Sequence, residues 1–178
     1  MAVVLRMLAV GALLIAALSA QADHIQQRGG QALASKIGPW YIMRGTYEDG
    51  SRVCQAGNFS CGRNTPVFSY MAAVGGKDPV SIMRFDADKP AKAGDTVQLA
   101  IGEETIVLHH GATAAGNAFF PKTTGDARKI TQTLLARERA PQKYFFVIDK
   151  WGDKFKFDAR STAKMLEYME GQCGYKRW

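Results

Sequence analysis

Between Asp95 and His110 the chain alternates. Val97, Leu99 and Ile101 are spaced by Gln98 and Ala100, and after Gly102-Glu103 the apolar residues Ile106 and Leu108 return on the same face. Period two marks a half-buried strand, because successive side chains point to opposite faces of the pleat. Gly-X between two such runs predicts a tight hairpin with Gly102 at the first turn position, where glycine takes a positive φ cheaply. A second hairpin is predicted from Lys143–Lys150, turned by Trp151-Gly152-Asp153 into Lys154–Asp158, where Phe155 and Phe157 alternate with lysines.

The same reasoning places strands at Trp40–Thr46, Arg52–Ala56, Val67–Val74, Val80–Phe85 and Asn117–Phe120, separated by Asp49-Gly50, Gly75-Gly76 and Pro90. Val80, Ile82 and Arg84 fall on one face. Two segments follow helical spacing instead. One contains Ile130 and Leu134, begins near Asp126, whose carboxylate is the expected cap, and stops at Pro141. The other buries Met165, Leu166 and Met169, is capped by Asp158 or Ser161, and ends near Gly171 and Gly174 with Cys173 just past it. Eight or nine short strands and two short helices, one at the C-terminus, predict a mainly β fold: an antiparallel β-sandwich or a partly open barrel. Residues 39–178 form the single β-rich domain, and residues 23–38 are expected as a polar lead-in, frayed or weakly helical.

Residues 1–22 follow a different pattern. Arg6 precedes an apolar run, Leu8–Leu18, too short to span a bilayer, and Ala20-Gln21-Ala22 is a small-residue cleavage site. This reads as a secretory signal peptide, so a periplasmic or secreted protein with no transmembrane span after cleavage is expected. Hydrophobic residues make up 47% and charged residues 22% of the 178, an ordinary globular balance that excludes a disordered chain. Loss of Arg6 lowers the net charge from +7 to +6. The basic residues are scattered, which makes the charge a solubility feature first and an attraction to an anionic envelope partner second. No Lys/Arg block or aromatic–basic RNA-binding pattern is present, so nucleic acid is not expected as a partner.

Export gives the three cysteines an oxidising destination. Cys54 and Cys61 are close in sequence, whereas Cys54 with Cys173 would close a loop of about 120 residues, worth roughly 4–5 kcal/mol in the chain-entropy model. Spacing leaves both pairings open. No C-x-x-C and no neighbouring histidine suggest a metal site. His109 and His110 point to opposite faces of a strand and cannot easily share one ion. Glu103 and Glu104 lie in and beside a turn, without a defined separation across a cleft. No serine sits in a nucleophile elbow, and the Gly-Gly pairs lack a phosphate-loop setting. No catalytic residue, metal or cofactor is therefore expected. Most of the aromatics read as core. Trp151 and the C-terminal Tyr175, Lys176, Arg177 and Trp178 form the candidate partner surface.

The order of elements resembles the invasion-associated locus B family of exported bacterial proteins. The stretches that carry the resemblance are Val80-Ser-Ile-Met-Arg84, Lys92-Ala-Gly94-Asp-Thr-Val97, Ile101-Gly102, Thr105-Ile-Val-Leu108, Asn117-Ala-Phe-Phe120, Thr133-Leu-Leu135, Phe155-Lys-Phe157 and Gln172-Cys-Gly-Tyr-Lys-Arg177, with Trp40 followed by Cys54 upstream. It covers residues 38–178. The chain departs from the family at Phe157-Asp-Ala-Arg-Ser161, where a Ser-Leu-x-Gly-Phe stretch is usual, and in having Cys61. The resemblance implies a periplasmic or secreted β-sandwich without established catalytic residues, linked in some pathogens to host-cell entry. It also implies Cys54 paired with Cys173, since the family has cysteines at both places. The functional expectation is a non-enzymatic exported binding or envelope-associated protein. An accessory subunit of a larger envelope complex, and a small hydrolase or enzyme inhibitor, are the alternatives.

Overall fold

The computed structural model describes residues 33–46, 52–60, 66–74, 80–111 and 117–177. They form ten strands and two helices: β1 (Leu33–Ile37), β2 (Trp40–Thr46), β3 (Arg52–Phe59), β4 (Val67–Val74), β5 (Val80–Asp86), β6 (Thr96–Ile101), β7 (Glu104–His110), β8 (Ala118–Pro121), α1 (Thr124–Arg139), β9 (Tyr144–Ile148), β10 (Lys154–Asp158) and α2 (Thr162–Cys173). All strands belong to one antiparallel sheet in the order β1-β2-β3-β4-β5-β8-β7-β6-β9-β10. The sheet curls into a half-barrel, so the mainly β expectation holds in its partly open barrel form.

Both predicted hairpins are present. Ile101 pairs with Glu104 across Gly102, whose φ is +65°. In the β9–β10 hairpin Ile148 pairs with Lys154, and the Asp149 carboxylate accepts the backbone N–H groups of Trp151 and Asp153 at 2.9 and 2.8 Å. The tenth strand is the difference. Leu33–Ile37, read as part of the polar lead-in, pairs along its whole length with β2. It lacks a clear apolar alternation because it is an edge strand, with Ser35 and Lys36 exposed. The two-residue loop Gly38-Pro39 turns it, with Gly38 at φ +58°.

The inner face of the sheet carries the core. Ladder register puts Trp40, Ile42, Cys54, Ala56, Phe68, Tyr70, Met83 and Phe85 on that face, and all are buried. Ile82 and Arg84 share the opposite face. Phe68 is central: its ring lies 5.2 Å from Phe145 and 6.5 Å from Phe157, so β4 packs across the curl onto β9 and β10. Ile130 and Leu134 of α1, and Met165, Leu166 and Met169 of α2, belong to this same buried cluster, so the helices fill the concave side.

Helix ends differ in detail from expectation. The N-cap of α1 is Thr123, and Asp126 completes a capping box: the Asp126 N–H donates to Thr123 Oγ1, and the Thr123 N–H donates to Asp126 Oδ2, both at 3.1 Å. The helix stops before Pro141, with Ala140 extended at ψ 159°, as a residue preceding proline prefers. Neither Asp158 nor Ser161 caps α2 through its side chain. Asp158 instead binds Arg160, accepting its Nε–H at 2.7 Å. Ser161 holds a left-handed φ of +59°, and its hydroxyl occupies the space that a Cβ at Gly38 would enter, 2.5 Å away. The N–H of Ala163, in the first turn of α2, donates to Glu138 Oε2 of α1 at 2.9 Å. This corner is also fixed to the sheet: Trp40 Nε1–H donates to the Arg160 carbonyl at 3.1 Å, and Asn58 Nδ2–H donates to the Asp158 carbonyl at 2.6 Å.

Candidate functional site

The β2–β3 ladder places Arg44 opposite Cys54 and Thr46 opposite Arg52. Arg44, Cys54 and Arg52 therefore share the inner face at one end of the curl, with the two arginines as diagonal neighbours. Cys54 is joined to Cys173, in the last turn of α2, by a disulfide with a Cα–Cα distance of 5.6 Å. The thioether of Met169, one turn earlier, lies 3.7 Å from Cys54 Sγ. Gly174 ends the helix at φ +68°, and its N–H and that of Tyr175 both return to the Met169 carbonyl.

Between the end of β2, the start of β3 and the last turn of α2 lies a cavity of about 480 Å³, within the usual size range of small-ligand sites. Arg44, Arg52 and Glu170 supply its charges, and the cystine forms part of its wall. The Arg44 guanidinium lies 5.2 Å from the Tyr168 ring centre. Its Nε and Nη2 are out of reach of solvent and have no hydrogen-bond partner among the described residues. Glu170 is neutralised by Arg177, whose Nε lies 2.5 Å from its carboxylate. Among the described residues the cavity thus holds an excess of positive charge.

A second chemical feature occupies the outer side of the β9–β10 hairpin. The Lys156 ammonium sits 3.6 Å from the Tyr144 ring centre and that of Lys154 4.1 Å from Phe146. Trp151, 45% exposed, is approached by Lys150 at 4.6 Å and Lys89 at 5.1 Å. Lys89 bonds the Asp153 carboxylate, which holds its pKa above the ordinary lysine value. Asp95 accepts from Lys150 at 2.5 Å and from the Lys92 N–H, and its carboxyl is held below the usual range. This is a strip of alternating lysine and aromatic side chains.

The expected partner surface does not come together as one patch. Trp151 packs near Lys89, beyond the C-terminal end of β5, whereas the Lys176 N–H donates to Ser81 Oγ at the other end of that strand. Tyr175 is corrected from surface to core. It is 3% exposed, with its ring edge-on to Tyr70 at 5.8 Å. The disulfide next to it and the N–H bond to Met169 draw it inward. Lys176 and Arg177 are exposed; Trp178 and Cys61 lie outside the described residues.

His109 and His110 are half-buried and line no part of the cavity, and the His110 ring stands edge-on to Phe119 at 5.6 Å. Glu103 and Glu104 are exposed, and Glu104 pairs with Lys129 at 2.6 Å. Among the described residues no three His, Cys, Asp or Glu side chains gather as a metal site, and no helix is long and apolar enough to cross a membrane.

Arg44 is not among the candidate site residues expected from the sequence, although the sequence carries a signal for it. Trp40 and Ile42 precede it at period two, so the alternation itself carries a guanidinium onto the buried face. No family model matches the chain, and neither a curated protein nor a solved structure matches it.

Proposed function

We propose that the protein is an exported, non-enzymatic binding protein of the bacterial cell envelope, of the invasion-associated locus B kind. The observation that carries this reading is the Cys54–Cys173 disulfide across 119 residues of sequence. A bond of this kind persists in an oxidising compartment and is rare in the cytosol. The apolar leader ending at Ala22 supports the same address, and the resemblance supports the same pair of cysteines. The strip of lysines and aromatics around Trp151 supports association with an anionic envelope surface. Lysine heads and amphipathic rings suit such a boundary, and the attraction weakens with salt.

Fractionation of the native bacterium combined with intact mass measurement tests the proposal. The expected result is a mature chain beginning at Asp23, found in periplasm, envelope or medium, with one alkylatable thiol before reduction and three after. High salt should release the envelope-bound fraction. Recovery from the cytoplasm, with three reactive thiols and an intact leader, overturns it.

A further inference from the structure

We infer that the cavity beside the disulfide is a binding site for a small oxyanion, a carboxylate or phosphate group carried on a ligand with hydrogen-bond donors. The inference goes beyond export and does not depend on it. It starts from Arg44. A guanidinium carries five donors and stays charged at every accessible pH, so burying part of it without partners is costly. Two of its nitrogens, Nε and Nη2, are buried and unpartnered among the described residues, and the residue itself lines a cavity of about 480 Å³. Tyr168 lies against the group and restricts its orientation. Arg52 stands diagonally across the same ladder and lines the same cavity.

The only carboxylate lining the cavity among the described residues is that of Glu170, and Arg177 already neutralises it. Among the described residues, therefore, no carboxylate compensates the Arg44 charge. A planar fork of N–H groups matches carboxylate and phosphate oxygens two at a time, which makes an oxyanion the complementary guest. The opposite wall is the end of α2, where the final carbonyls of the helix carry partial negative charge. That wall favours hydroxyl or amino donors on the rest of the ligand. A bare inorganic anion should accordingly bind more weakly than one bearing such groups.

The test uses the disulfide-intact protein, with inorganic phosphate, succinate and the hydroxy acid malate as probes, ionic strength being held constant with sodium chloride. Arginine Nε–H resonances and the thermal midpoint are followed. The expected result is a saturable shift of the Arg44 resonance at tens of millimolar anion or below, a midpoint raised by several degrees, and tighter binding of malate than of succinate. Arg44→Gln should abolish the response, while the anion-free variant melts at the wild-type temperature or above because an uncompensated buried cation has gone. Should Arg44→Gln fail to fold, Arg52→Gln, at an exposed position, decides: it should weaken binding severalfold. No saturable shift with any of the three anions, or a response that survives these substitutions, overturns the inference. Equal binding of succinate and malate overturns the role given to the helix end.

Discussion

At Tyr70 a single hydroxyl shows how burial becomes a measurable property. Tyr70 and Tyr175 are buried ring to ring, and burial pushes both phenols far above their ordinary pKa. Tyr70 keeps a hydroxyl contact with Thr131 at 3.3 Å. In the unfolded chain each phenol ionises near pH ~10, while in the folded chain each stays protonated. Above that pH the folded state binds more protons, so stability falls as pH rises. Each tyrosine contributes a slope of about 1.4 kcal/mol per pH unit. Tyr70→Phe should therefore cost about 1 kcal/mol at neutral pH through the lost hydrogen bond, yet flatten the alkaline decline by the slope of one tyrosine. Denaturant melts between pH ~10 and ~12 check it, and parallel declines for the two proteins would refute the assignment.

The elements were legible where the period was local. Val97, Leu99 and Ile101 announce β6, and Gly102 announces its turn, because alternation and positive φ are properties of a few adjacent residues. β1 was not legible. With Ser35 and Lys36 exposed, this edge strand writes no clear apolar alternation into the sequence, and its pairing with β2 decides its structure. The start of α2 differs from its local signal for a related reason. Its first-turn donor is satisfied by Glu138, 25 residues earlier in the chain, and no local spacing encodes such a contact. The site was half legible: the paired cysteines followed from the resemblance, and Arg44 from a parity that the charge obscured. Because Glu138 stands in for an N-cap, Glu138→Ala should lower stability by about 1 kcal/mol, as loss of a capping side chain does. Chemical denaturation checks this, and an unchanged midpoint would mean that water replaces the carboxylate.

For the whole molecule, the half-barrel is held shut by devices other than strand pairing. The sheet ends at β1 and β10, which do not pair. Closure comes from the Phe68–Phe145–Phe157 stack, from Trp40 and Asn58 reaching the backbone of the β10–α2 corner, and from the disulfide that fastens α2 to β3. Replacing both cysteines by alanine should destabilise the protein by about 2–5 kcal/mol, chiefly by freeing the unfolded chain. The buried aromatic core should keep the double variant folded at room temperature. Reversible thermal melts of the variant and the oxidised parent make the comparison; a loss below about 1 kcal/mol would assign closure to the aromatic stack and the Trp40 and Asn58 hydrogen bonds.

The position of the two bonded cysteines also sets an order of events during synthesis. Cys54 and Cys61 leave the ribosome together, and the short segment between them makes their encounter easy. Cys173 emerges only later, 119 residues beyond Cys54. A chain that meets an oxidant early is thus offered the wrong sulfur first. Correct maturation then requires either that oxidation wait for the last helix or that a thiol–disulfide isomerase exchange Cys61 for the partner that arrives late.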